Sequence, residues 1–140
     1  MPMNEVQLAN DFPWKTEHLR SLQAAYRNSP YFEYYEHHFA EFYDQSIETL
    51  VDLNSKFHQK ITIMLGIEDR AHYSEEYVDQ FNNDFRNQIH PKQSNSSLTF
   101  PEYPQVFQER HGFVANLSII DLLFNLGPES LGYLKSCIRR

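Results

Sequence analysis

Apolar side chains recur at helical rather than alternating spacing along most of the chain. Trp14, His18, Leu22 and Ala25 repeat at about 3.6 residues, and Arg20, Gln23 and Arg27 fall mostly elsewhere. That stretch stops at Asn28-Ser29-Pro30, where Pro30 suits the first turn of a new helix with Ser29 as its cap. The next helix is predicted over 30–44, with Phe32, Tyr35, Phe39, Phe42 and Tyr43 on one broad face. Tyr31, Tyr34 and His38 extend that face sideways, and Glu33, Glu36 and Glu41 are left for solvent.

A third helix follows, capped by Ser46 and striped by Leu50, Val51, Phe57, Ile61, Met64 and Leu65. Asn54 lies within the stripe, His58 borders it, and Gly66 ends the helix in the C′ position. Residues 67–73 connect. Ser74 then caps a predicted helix whose Glu75-Glu76 suit the positive end of the helix dipole. Between about 87 and 103 the periodicity gives way to prolines and a Ser/Asn cluster, the signature of a long loop. A short helix at 104–112, an apolar one from Ile119 and a last one over about 129–138 complete the reading. The fold class is therefore mainly α: a compact multi-helix domain with any strands short. Residues 1–13 form a disordered or extended lead-in, and 14–140 form a single helical domain.

Composition narrows the function. Twelve Lys and Arg stand against 19 Asp and Glu, a formal charge of −7 across 140 residues. A nucleic-acid or anionic-membrane surface needs clustered cations that this chain does not carry. The longest apolar run, broken by Asp121, falls far short of the roughly 18 residues of a membrane span. With no secretory signal and a single Cys137, the expectation is a cytoplasmic protein without disulfides.

Seven histidines raise the question of a metal, but HExxH and Glu-x-x-His pairs are missing. Glu33, His37 and Glu41 lie one turn apart, a spacing equally common on solvated faces. No metal site or cofactor is expected. The aromatic cluster at 31–43 reads mainly as core, with Tyr31 and Tyr34 off the main stripe as candidates for stacking on a sugar ring. His18, one turn from Trp14, is either a general acid/base or a core histidine. Asn54 either fixes helix packing or lines a site. Asp121 interrupts an apolar run, and Ser118-x-x-Asp121 offers a capping box as its structural role. Asn125, one turn on, extends the same polar edge.

Several segments together resemble the WbqC-like family. They are Trp14-x-x-x-His18, Ala25-Tyr26 through Ser29-Pro30-Tyr31-Phe32-Glu33-Tyr34-Tyr35, Asn54 with Leu65-Gly66-Ile67, and Tyr103-Pro104-Gln105-Val106-Phe107. The most specific is His111-Gly112-Phe113 followed by Asn116-Leu117-Ser118-Ile119-Ile120-Asp121-Leu122-Leu123-Phe124-Asn125-Leu126-Gly127-Pro128. The resemblance runs from residue 11 and implies that the chain is the helical part of an α+β parent whose strand-rich N-terminal region is absent here.

The resemblance also implies a link to surface-polysaccharide (O-antigen) biosynthesis, with group transfer onto a sugar nucleotide or glycan precursor as the reaction. The family's polar positions fall on His18, Asn54, Gln105, Asp121 and Asn125. On that reading His18 is the acid/base and Asp121 its partner, while Tyr31, Tyr34, Asn54, Gln105 and Asn125 contact substrate. The alternatives are a non-catalytic helical module, binding a glycan precursor, or a protein partner or oligomer through an exposed apolar face, and a truncated family member without independent activity.

Overall fold

The computed structural model describes residues 2–87 and 98–138. Its elements are α1 (Trp14–Tyr26), α2 (Phe32–Asp44), α3 (Leu50–Leu65), α4 (Gln108–His111), α5 (Ile119–Leu126) and α6 (Ser130–Ser136). Short 3-10 turns sit at Met3–Glu5 and Gly127–Glu129. The protein is mainly helical, as the apolar spacing predicts. The central part of the long loop, residues 88–97, lies outside the described residues; residues 99–103 carry no helix.

α5 is the centre of the fold. It is the most apolar helix, and Leu123 and Phe124 are fully buried. The Phe124 ring lies 4.9 Å from that of Tyr26 and 5.2 Å from each of Phe32 and Phe39, so α1 and α2 close over one aromatic nucleus. α3 completes it with Ile61 and Met64. These tilted ring pairs add specific attraction to the burial of large apolar surface.

The ends of the helices follow capping chemistry, though not always through the expected residue. Thr49, not Ser46, caps α3, its Oγ1 accepting from the Asp52 N–H at 3.1 Å. Ser29 does not cap α2. Its hydroxyl and its N–H both donate to the Tyr26 carbonyl and close α1 instead. Gly66 ends α3 in the left-handed conformation at φ 69°, and Ile67 N–H returns to the Thr62 carbonyl at 3.0 Å.

The polar residues of the stripes also differ from expectation. Asn54 is exposed rather than buried in the α3 stripe. Thr62 is the polar side chain that α3 buries, with its Oγ1 donating to the Gln59 carbonyl at 2.8 Å. After the 3-10 turn, residues 6–8 of the lead-in run beside the start of α3: Leu8 N–H donates to the Glu48 carbonyl at 2.8 Å, and Leu50 N–H donates to that of Val6 at 2.9 Å.

The helix predicted from Ser74 does not form, and residues 67–87 carry no helix or strand. A lone segment of this length cannot offset the cost of nucleating a helix unless its apolar face packs on something. Tyr77, Phe81 and Phe85 stay exposed, and Asn83 takes a left-handed conformation at φ 61° that a helix cannot hold.

Candidate functional site

Asp121 sits in the first turn of α5 and is buried. Its carboxylate does not complete a capping box with Ser118. The Ser118 hydroxyl caps α5 through Ile120 N–H at 3.3 Å, and the Asp121 side chain turns inward. There it accepts a hydrogen bond from Tyr103 Oη at 2.6 Å. The Tyr26 hydroxyl lies against the same carboxylate. Burial, then the charge and hydrogen bonding of Asp121, push the Tyr26 hydroxyl up to about 12. Tyr103 moves in the same direction, through burial first and its bond to Asp121 second. Both phenols therefore remain donors across the physiological range, as a buried carboxylate requires.

Asn125 and Tyr31 gather on the same helix. Asn125 Nδ2 donates to the Asp121 carbonyl at 2.8 Å. Tyr31 N–H donates to the Phe124 carbonyl at 3.0 Å, and the Tyr31 ring lies directly over Gly127. The Asp121 carboxylate at this corner is thus engaged by neighbours in the chain.

The other expected site residues lie elsewhere. His18 is exposed on α1, with its ring 5.4 Å from Trp14 and 5.9 Å from Tyr43. Tyr26, the α1 residue that touches Asp121, is two turns further along, about 12 Å at the rise of an α-helix. Tyr34 is exposed and packs edge-on against Tyr35. The Gln105 amide clamps one backbone unit: Nε2 donates to the Val114 carbonyl at 2.8 Å, and Oε1 accepts from Val114 N–H at 2.9 Å. That bond pair closes the turn around α4.

Asn54 opens onto a groove of about 400 Å³ between the outer face of α3 and residues 69–73. His58, one turn on, shares it, as do Gln59, Asp69, His72 and Tyr73. His58 Nε2 lies 3.3 Å from Asp69 Oδ1, so the carboxylate fixes the imidazole's orientation. The Ser55 and Tyr73 hydroxyls are hydrogen-bonded to each other, which holds the Tyr73 ring at the groove's edge. An aromatic ring beside amide and imidazole groups is the chemistry that recognises a sugar ring, apolar on its faces and polar on its rim.

Sequence reasoning missed Tyr26 and Tyr103 as the partners of Asp121, because the three come together only in the fold. It also passed over His58. The signal was present: Asn54 and His58 are four apart and so share a helix face. Among the described residues, no three His, Cys, Asp or Glu side chains gather in a group able to hold a metal ion. No helix among them is long and apolar enough to cross a membrane.

Comparison with known proteins adds one finding. No curated protein and no solved structure matches the chain. The model of one family does match, over residues 1–98 and 83–133, and therefore takes in the lead-in, the aromatic α2 and the Asp121 helix. The chain belongs to the WbqC-like protein family.

Proposed function

We propose that this chain serves surface-polysaccharide biosynthesis, of which O-antigen assembly is the type case, by holding a sugar nucleotide or glycan precursor in the α3 groove. The observation that carries the reading is the groove itself. It is lined by Asn54, His58, Gln59, His72 and Tyr73, on a surface open to solvent. Family membership supports the pathway, and the side chains support the ligand class.

Binding stands ahead of catalysis because His18 lies two turns along α1 from Tyr26, the residue that meets Asp121 of α5. Asp121 also spends hydrogen-bonding capacity on Tyr103, which is buried, and Tyr26, which is half-buried. Group transfer to the same precursor is the second reading. Its support is the His58–Asp69 pair, since a carboxylate-held imidazole is the usual form of a general base.

The test is a titration of the isotope-labelled chain with a panel of sugar nucleotides, followed by amide shifts. The expected result is shifts confined to α3 and residues 69–73. Asn54→Ala or Tyr73→Ala should weaken binding by about tenfold, the usual loss when a ligand-contacting group is truncated. Tyr34→Ala should leave it unchanged. A panel that moves no resonance in the groove would sink the reading.

A further inference from the structure

A second groove adjoins the one on α3. It has a volume of about 450 Å³ and opens between the start of α1 and residues 46–48, which lead into α3. Phe12 and Trp14 form its aromatic side, while Thr16, Ser46 and Glu48 bring two hydroxyls and a carboxylate. Phe12 is 55% exposed. The Trp14 indole is fixed: its Nε1 donates to Asn10 Oδ1 at 3.0 Å, and the His18 and Tyr43 rings meet it edge-on. An exposed ring beside hydroxyl and carboxylate groups repeats the chemistry of the α3 groove.

The two grooves meet at Lys56. That side chain lines the α3 groove, and its Nζ donates at 2.7 Å to the carbonyl of Ser46, which lines the second. Phe12 and Tyr73, the latter 75% exposed, are thus the rings of two adjoining hollows. From Leu50, which follows the 46–48 wall, to Gln59 in the α3 groove, the helix rises about 14 Å. A single sugar ring is shorter than that.

The charges select the ligand. Lys15 and Lys56 line the grooves together with Glu48 and Asp69, and both ammonium groups are engaged. Lys15 donates to the Gln45 carbonyl, and Lys56 donates to that of Ser46 and to Asp52 Oδ2 at 3.0 Å. The His58 imidazole is turned to Asp69. A diphosphate is held by cations that pair with it, and these lysines are already paired within the chain. Carboxylates and hydroxyls suit the hydroxyl groups of an uncharged sugar.

We infer that the two grooves together bind an uncharged oligosaccharide, with one ring stacked at Phe12 and another at Tyr73. The inference rests on the sugar-binding reading of the α3 groove and names the glycan precursor, not the sugar nucleotide, as its ligand. The test titrates the isotope-labelled full chain with neutral malto-, manno- and N-acetylchito-oligosaccharides of one, three and five units, and with UDP-glucose. The expected result is that a pentasaccharide shifts amides at 12–16 and 46–48 together with those of the α3 groove. It should bind about a hundredfold more tightly than its monosaccharide, as joining two weak sites gives, and more tightly than UDP-glucose. Phe12→Ala should weaken the pentasaccharide about tenfold and leave the monosaccharide's shifts in the α3 groove unchanged. Phe12 lies outside the core, and unchanged circular dichroism of the variant checks that the fold is intact.

Three results would overturn the inference and leave the sugar-binding reading standing. Shifts could stay confined to α3 and residues 69–73 at every oligosaccharide length. Phe12→Ala could bind the pentasaccharide as tightly as the parent. UDP-glucose could bind more tightly than every oligosaccharide. A panel in which neither the oligosaccharides nor UDP-glucose move a resonance of either groove would overturn both.

Discussion

Tyr103 Oη donates to Asp121 Oδ2 at 2.6 Å across 18 residues of sequence, and both side chains are buried. The bond ties the segment that follows the long loop to the central helix. Tyr103→Phe removes the donor and leaves a buried carboxylate short of a partner, which costs about 1–3 kcal/mol. Asp121→Leu strands the Tyr103 hydroxyl in the same way. The double substitution Tyr103→Phe with Asp121→Leu removes both groups and should recover part of the loss. Urea denaturation of the four proteins measures the coupling; additive losses would mean the two side chains contribute separately.

The same site makes the fold sensitive to alkali. An unfolded tyrosine loses its proton near 10, whereas the folded Tyr26 holds its proton to about 12, and Tyr103 is raised as well. A group raised in the folded state contributes stability that is fully present below pH 10. That contribution is lost as pH climbs through the folded value. Stability should therefore fall from pH 10 towards 12. Tyr26→Phe, with no phenol to titrate, should show a shallower decline. Denaturant midpoints taken at pH 8 and at intervals above 10 test the slope.

Gly127 closes α5 at φ 55°, and a β-carbon there would meet the Tyr31 ring at 2.5 to 2.6 Å. Gly127→Ala meets two separate penalties. The backbone conformation alone costs about 1–3 kcal/mol for a residue with a side chain, and the ring must also move. Adding Tyr31→Ala relieves the contact but not the backbone. The double variant should therefore be more stable than the sum of the single losses predicts, by thermal unfolding. Simple additivity would place the whole cost in the backbone.

The helices were legible in the sequence because their signals are local. The stripe of Phe32, Tyr35, Phe39 and Phe42 needs only the helical period to be seen, and Gly66 needs only its place after Leu65. The site was not legible, because its contacts cross the chain. Tyr26, Tyr103 and Asp121 come from three segments, and spacing does not reveal that they meet. Asn54 was misplaced for a related reason. A polar residue at the edge of an apolar arc can rotate either way, and packing against α2 and α5 decides which. Residues 74–86 fail in the opposite sense: the helical pattern is real, but among the described residues nothing buries Tyr77, Phe81 and Phe85.

His38 supplies an acid-side prediction. Its Nδ1 is buried without a hydrogen-bond partner among the described residues, on the side of α2 that faces α3. Burial holds its pKa below the usual imidazole value, and the neighbouring His37 and Lys60 push the same way, while Glu41 opposes them. The neutral ring is therefore favoured more in the folded than in the unfolded state. A base lowered on folding contributes stability that is present above its unfolded value, near 6.5, and is lost as pH falls through the folded one. Glu41 and Lys60 hold each other at 2.9 Å, so lysine's charge remains in place as His38 protonates. Stability should drop between pH 7 and the lower reach of that titration, and His38→Gln should flatten the drop. Paired denaturation curves at neutral and mildly acidic pH decide the matter. An equally steep fall in His38→Gln would assign the acid sensitivity to other groups.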